Sequence, residues 1–436
     1  MKKVLVISYY WPPSGGSGVQ RWVKFSKYLP SQGWQPVVYT PENPELLARD
    51  ESLAADVSPQ TEVIRRPILE PYGIWNAIRG AKKGGNAGAK TEVNPINSGK
   101  KSIGQRAAMW IRGNLFIPDP RCMWIGPSVR FLKKYLKEHP VDVIVSTGPP
   151  HSMHLIARKL SKATGLPWVA DFRDPWTRMF YFKHLHLGKW ALKKHQKLEK
   201  AVLDDATTVI AVSPLVKKEF EEMTSTPVAL ITNGFDQGDI ECAPVCGDGY
   251  FNITHTGLFA SDGNPDILWK VLADLCLEDK TFAEKLRIRL AGKTDNEIIS
   301  SIREAGLAGN LVDLGYQPHS AAVREQRSSS LLILPLRKEP EYKATLPGKL
   351  FEYLASERPI LGIGQKDGAM ASIIADTATG EMADWEEYDV MKAYIKRVWE
   401  DFLEGKASVT PKGIERYSRK ELTVRLAALL DSLTSK

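Results

Sequence analysis

Short, continuously apolar runs alternate with amphipathic helical patterns along this whole chain. The alternation breaks once near the middle and then resumes. In the first half the runs are 4–8, 36–40, 62–66, 141–146, 168–172, 208–212 and 229–232. In the second they are 252–256, 286–291, 311–315, 331–335, 359–363 and 380–383. Most positions in the first-half runs are apolar, as a strand requires when helices cover both faces of its sheet. Such an alternation predicts parallel sheets with crossover helices.

Residues 235–250 contain glycines, acids and a proline without periodicity, the composition of a linker. The fold class is therefore α/β. Two doubly wound, Rossmann-like parallel-sheet domains are expected at 1–234 and 251–410, joined by a linker at 235–250. Helical patterns at 388–403 and 419–432 are separated by a turn, so 411–436 is expected to be a C-terminal helix that packs back on the first domain. Ligands of such sheets bind beyond the carboxyl ends of the strands, so two edges facing a central cleft are predicted, with function in the loops after strands.

Composition narrows the classes. The chain has 436 residues, too many for one core, and its 43% hydrophobic and 25% charged content is that of a globular protein. No run of about 20 apolar residues exists, and the apolar run after Lys3 is too short for a signal-peptide core, so a cytoplasmic protein is expected. Cys122, Cys242, Cys246 and Cys276 form no CxxC pair and no zinc spacing with histidines; reduced thiols and no metal are expected. The net charge of +8 favours anionic partners. Between 72 and 138, 13 Lys/Arg stand against 3 Asp/Glu, interleaved with Trp75, Trp110, Phe116 and Trp124.

Five loops are placed to carry chemistry. Gly15, Gly16, Ser17 and Gly18 follow the first strand and open a helical pattern, where backbone amides approach a ligand and a helix N-terminus favours anions. They do not form GxGxxG. His151 and His154, after the run ending at 146, are acceptor-side candidates. So is Asp171, which with Arg173 and Asp174 puts three charges at the end of an apolar strand, a costly arrangement unless they are paired or face solvent. Ser213-Pro214 and Asn233-Gly234 read as turns first. The fifth loop is Thr345-Leu346-Pro347-Gly348-Lys349-Leu350-Phe351-Glu352-Tyr353-Leu354. With Pro347 at the first helical position, Leu350, Phe351, Leu354 and Ala355 form the buried face, and Lys349, Glu352, Tyr353 and Ser356 the other. Lys349 adds a cation where a helix start already suits phosphate, and Glu352 has two oxygens for a ribose diol. Lys343 supplies further charge, and Gly315-Tyr316 sits where a base is read through backbone groups.

Taken together, Gly15–Gly18, Ala211-Val212-Ser213-Pro214, Ile231-Thr232-Asn233-Gly234-Phe235-Asp236 and Pro347-Gly348-Lys349-Leu350-Phe351-Glu352-Tyr353-Leu354 resemble glycosyltransferase family 4, in order and over essentially the whole chain. The resemblance implies the GT-B architecture and transfer from a UDP- or GDP-sugar with retention of configuration. It implies no metal, the donor on the C-terminal half and the acceptor on the N-terminal half. Glu352 then corresponds to the ribose-binding member of a glutamate pair, and Gly15, Gly16, Ser17 and Gly18 to the loop near the donor phosphates. Arg173 and Asp174 stand where many members carry a histidine. Arg173, Asp174 and Lys349 are the catalytic candidates, and Lys343, Gly348 and Lys349 the phosphate-binding ones.

Besides that absent histidine after the fifth strand, the pattern departs in two places. The partner of Glu352, eight positions earlier, is Ala344, with Glu341 nearby. The usual Arg and Lys after the first C-terminal strand are replaced by Gly257-Leu258-Phe259-Ala260-Ser261-Asp262-Gly263-Asn264. The acceptor is expected to be a saccharide or lipid-linked saccharide in cell-surface polysaccharide or lipopolysaccharide assembly. Region 72–138 would touch an anionic membrane at its inner face. A GT-B sugar-nucleotide epimerase is the alternative. A basic nucleic-acid-binding protein is the more distant one, since no recognition helix, zinc module or aromatic platform accompanies the charge.

Overall fold

A computed structural model describes residues 1–45, 50–70, 103–241, 247–406 and 408–434. The chain forms two units, Met1–Thr232 with Leu422–Lys436, and Asn233–Glu421.

Unit 1 is built on a seven-stranded parallel sheet of order β3-β2-β1-β4-β5-β6-β7. The strands are β1 Lys2–Ile7, β2 Trp34–Pro41, β3 Glu62–Arg66, β4 Val143–Gly148, β5 Trp168–Phe172, β6 Thr208–Ala211 and β7 Val228–Leu230. Five described helices accompany it: α1 Ser17–Tyr28, α2 Ile103–Leu115, α3 Ile125–Glu138, α4 Ser152–Thr164 and α5 Lys189–Asp205, followed by α6 Pro214–Met223 after β6. Val4 pairs with Pro36 on one side and Val143 on the other, so β1 lies at the sheet centre, which its unbroken apolar run requires. Val19, Trp22, Val23 and Phe25 of α1 pack on Val4, Val6, Val38, Val143 and Val145. Leu422, Leu426 and Leu430 of the C-terminal helix enter the same core.

In unit 2 a six-stranded parallel sheet has the order β10-β9-β8-β11-β12-β13. Its strands are β8 Phe251–Thr256, β9 Leu286–Ala291, β10 Leu311–Gly315, β11 Leu331–Pro335, β12 Ile360–Ile363 and β13 Gly380–Ala383. All thirteen apolar runs read from the sequence are strands, displaced by no more than two residues at an end, except 229–232, of which only the first two residues pair.

Part of the expected linker is structured. Residues 237–241 form a short helix, α7 Gln237–Glu241. Phe235 and Asp236 are buried, and Phe235 bridges to Ser418. The Phe235 N–H donates to Tyr417 O, and Arg419 N–H donates to Phe235 O. A strand-like contact nearly two hundred residues away in sequence leaves no local periodicity to read. Cys242 and Cys246 lie outside the described residues.

At the centre of unit 1, Arg21 of α1 and Asp171 of β5 are fully buried and paired. Arg21 Nη2 is 2.8 Å from Asp171 Oδ1, and Nε is 3.1 Å from Oδ2. Trp22 Nε1 and Thr147 Oγ1 also donate to Asp171, at 2.8 and 2.9 Å. Arg21 donates as well to the carbonyls of Ile231 and Thr232. Burial alone would raise the Asp171 carboxyl; Arg21 and the donated hydrogen bonds outweigh it and hold the group below its ordinary value. Replacing Asp171 with Ala strands a buried guanidinium, so unfolding free energy at pH 7 should fall by about 3–5 kcal/mol in urea denaturation. The lowered carboxylate stabilises the fold above about pH 3.9, and that contribution should fade as pH drops through the lower native value.

Candidate active site

The carboxyl ends of β1, β4 and β5 bring together the loops singled out in unit 1. Gly16 precedes α1 with φ 98°, a left-handed-side conformation suited to glycine, and no side chain caps the helix. Gly18 has a second constraint. A Cβ there would lie 2.7 Å from Arg173 Nη1 and 3.3 Å from the Tyr10 ring. Arg173 uses that space: Nη1 donates to Gly18 O, Nη2 donates to Pro149 O, and the guanidinium lies 5.4 Å from the Tyr10 ring centre. It therefore ties the loops after β1, β4 and β5 together.

Asp174 differs from Asp171. No hydrogen bond holds its carboxyl among the described residues. Burial pushes it up to about 6, with Arg173 opposing. The loop that carries it is fixed from α5: buried Glu199 accepts from Trp176 N–H at 3.0 Å, Thr177 N–H at 3.2 Å and the Thr177 hydroxyl. Sequence reading missed Glu199, whose α5 neighbours are mostly exposed and charged.

Two acceptor-side assignments are corrected. Asp171 is consumed by Arg21, Trp22 and Thr147 and presents no oxygen to a ligand. His154 is fully buried, with Nδ1 2.8 Å from Ser146 Oγ and its ring 4.4 Å from that of Phe172. Burial holds its imidazole neutral, down to about 3, with Arg173 adding and Asp171 opposing. His151 does line a cavity, and its ring lies flat against Trp176 at 4.5 Å.

In unit 2 the Lys349 loop is formed largely as expected. Pro347 precedes α8, our label for Gly348–Ala355, and no side chain caps its N-terminus. Lys349 Nζ is 3.0 Å from His255 Nε2 and 3.2 Å from Leu258 O. Burial brings the ammonium down to about 8, with Glu352 opposing. Burial and then Lys349 keep His255 neutral, so its Nε2 accepts from the ammonium. His255 went unnoticed because it sits inside the strand run 252–256 rather than in a loop after it. Gly257, at φ 86°, leaves room for this lysine, and a Cβ on Gly292 would strike the Gly257 carbonyl oxygen at 2.1 Å.

Glu352 is partly buried; Gln326 Nε2 donates to its Oε2 at 2.9 Å, and His319 Nδ1 is 4.0 Å from its Oε1. Tyr353 and Ser356 are buried, correcting their placement on the outer face. The Tyr353 hydroxyl accepts from Thr256 N–H at 2.9 Å and fastens α8 to the end of β8. Lys343 is exposed and paired with Asp367, Arg337 is paired with Asp262, and Tyr316 is 74% exposed beside Gly315. Ala344 leaves no carboxylate eight positions before Glu352. Among the described residues no group of three His, Cys, Asp or Glu is arranged to hold a metal ion.

Two parallel sheets of seven and six strands, with the candidate loops at their carboxyl ends, are the architecture expected of the GT-B fold. The family 4 resemblance holds: residues 99–238 match the model of Glycosyltransferase Family 4. No curated protein matches in sequence. The fold is similar to that of sucrose-phosphate synthase from Thermosynechococcus elongatus, with TM-score 0.62 and 15% identity over 99% of each chain. It is also similar to Anabaena Alr3699/HepE in complex with UDP and glucose, with TM-score 0.59 and 14% identity over 99% of this chain and 100% of that one. A third is WaaG, a glycosyltransferase involved in lipopolysaccharide biosynthesis, with TM-score 0.55 and 14% identity over 99% and 100%.

The raised Asp174 carboxyl has a measurable consequence. Its native value, about 6, exceeds the unfolded one of about 3.9, so its stabilising contribution is full below pH 3.9 and lost as pH rises through 6. Asp174→Asn should therefore be more stable than wild type at pH 8, and the gap should shrink as pH falls below about 6, read by thermal melting.

Proposed function

We propose that this glycosyltransferase moves a sugar, with retention of configuration, from a nucleoside diphosphate held by unit 2 to a saccharide or lipid-linked acceptor held by unit 1. One observation carries the donor assignment. Lys349 sits in the first turn of an uncapped helix, and Glu352 follows one turn later on the same helix. The amides and the ammonium suit a diphosphate, and the two carboxylate oxygens suit a ribose diol. As the glycosidic bond breaks, negative charge grows on the leaving diphosphate, and a preset cation and helix dipole stabilise that change more than the ground state. The UDP and glucose bound to the Anabaena protein support this donor chemistry. Arg173 orders the loops of unit 1, and Asp174, with its carboxyl near neutrality, is the group suited to hold or accept an acceptor proton.

UDP, GDP and ADP should be compared by thermal shift and calorimetry. At 100 times its dissociation constant the matching nucleotide should add about 2.7 kcal/mol of stability. Lys349→Ala should weaken that binding by about tenfold or more, as loss of a charge-assisted contact requires. Wild-type affinity should also fall as pH rises through about 8, where Lys349 loses its proton, and the variant should lack that fall. Unchanged affinity in Lys349→Ala would sink the donor assignment.

Assembly of cell-surface polysaccharide is the setting we propose, in keeping with the lipopolysaccharide role of WaaG. Peripheral contact of the basic region 72–138 with an anionic membrane belongs to the same proposal. Residues 71–102, including Trp75, lie outside the described residues. Trp110 and Leu115 of α2 are 47% and 65% exposed, as such contact needs, whereas Trp124 is a core residue. No helix among the described residues is long and apolar enough to cross a membrane. Cosedimentation should rise with the anionic lipid content of vesicles and fall with salt.

A further inference from the structure

A cavity of about 240 Å³ opens within unit 1, at the carboxyl ends of β1, β4 and β5. Its walls are mostly apolar: Trp176, Phe182, Leu185 and four prolines. Its charged residues are already engaged. Arg121 is ion-paired with Glu70 at 2.9 Å and donates to Tyr9 Oη at 3.1 Å. Asp119 accepts from Ser152 N–H and Oγ, both at 2.8 Å, and from Arg121 N–H at 2.9 Å. His195 is satisfied too, accepting from Trp176 Nε1 at 3.1 Å and lying 3.3 Å from Gly113 O through its other nitrogen.

His151 is the exception. It is only 4% exposed, yet neither Nδ1 nor Nε2 has a hydrogen-bond partner. A buried imidazole left unpaired costs free energy that a ligand would recover. A neutral imidazole offers one donor and one acceptor on diverging axes, and a hydroxyl group, which both donates and accepts, can satisfy either.

We propose that this cavity is a subsite for one uncharged saccharide ring, with a hydroxyl hydrogen-bonded to a ring nitrogen of His151 and its C–H face against Phe182, Leu185 and the prolines. The volume suits one ring; a larger ligand needs a larger pocket. A planar base fits less well. The Trp176 face is already covered by His151 at an interplanar angle of 1°, and the Trp176 N–H is held by His195. Assigning this ring to the acceptor rests on the transferase reading above; the binding itself is tested separately.

Protein labelled with ¹⁵N at histidine should be titrated with the methyl glycosides of glucose, galactose, mannose and N-acetylglucosamine, with uridine and with UDP. At least one glycoside should move a His151 ring nitrogen resonance, which His151→Phe identifies by its loss. The same glycoside should bind His151→Phe, which keeps the stack and removes both nitrogens, about tenfold or more weakly by calorimetry. Leu185→Trp, which fills the cavity and leaves His151 in place, should also block it. Response to no glycoside, equal affinity in both variants, or a His151 response to uridine alone overturns the subsite. If UDP still binds, the donor reading survives that failure; if UDP fails as well, the donor reading falls with it.

Discussion

A single buried charge pair organises unit 1. Arg21 reaches from α1 to Asp171 at the end of β5 and, on the way, to the carbonyls of residues 231 and 232. Three chain segments that share no sequence neighbourhood are thus joined at one guanidinium. A planar fork with five N–H donors suits this role as a lysine would not, because it satisfies a carboxylate and two carbonyls at once. Every loop proposed to serve catalysis in unit 1 leaves one of the strands or helices so joined. Trp22 and Thr147 add two further donors to Asp171 Oδ2, so the buried carboxylate accepts four hydrogen bonds.

Two neighbouring acids show how position divides structure from chemistry. Asp171, inside the sheet, is held charged by its donors. Asp174, three residues later and past the strand end, has its carboxyl pushed up to about 6 by burial, with Arg173 opposing. Between them Arg173 braces three loops, in a space that exists because residue 18 has no side chain. Glu199 braces the next turn from α5. The result is a rigid loop bearing one poised carboxyl, the arrangement expected where a site spends stability on function.

Unit 2 reaches a comparable end by other means. Lys349 is held by neutral His255 and a carbonyl rather than by a carboxylate, so its charge is left to be matched from outside. Lys343, which sequence reasoning offered as a companion, is instead paired with Asp367, and nearby Arg337 with Asp262. The departures from the family pattern at Ala344 and 257–264 therefore concentrate the positive charge of this site on one residue and one helix terminus.

What the sequence by itself determined is the pair of parallel sheets and the positions of their loops. A strand covered on both faces must be apolar throughout, and that signature is local. The helix at Lys349 was legible for the same reason, from a proline, a glycine and a spacing. What only the tertiary structure decided is which polar side chains are used up and which are free. Arg21, Glu199, His255 and Gln326 were invisible as functional supports, since each meets its partner across a gap in sequence that periodicity does not span. Asp171 and His154 looked available because they follow strands, yet both point into the core. The same residue type three positions away in each case, His151 or Asp174, faces a cavity or lacks a partner, because hydrogen-bond satisfaction is a property of packed neighbours and not of chain order.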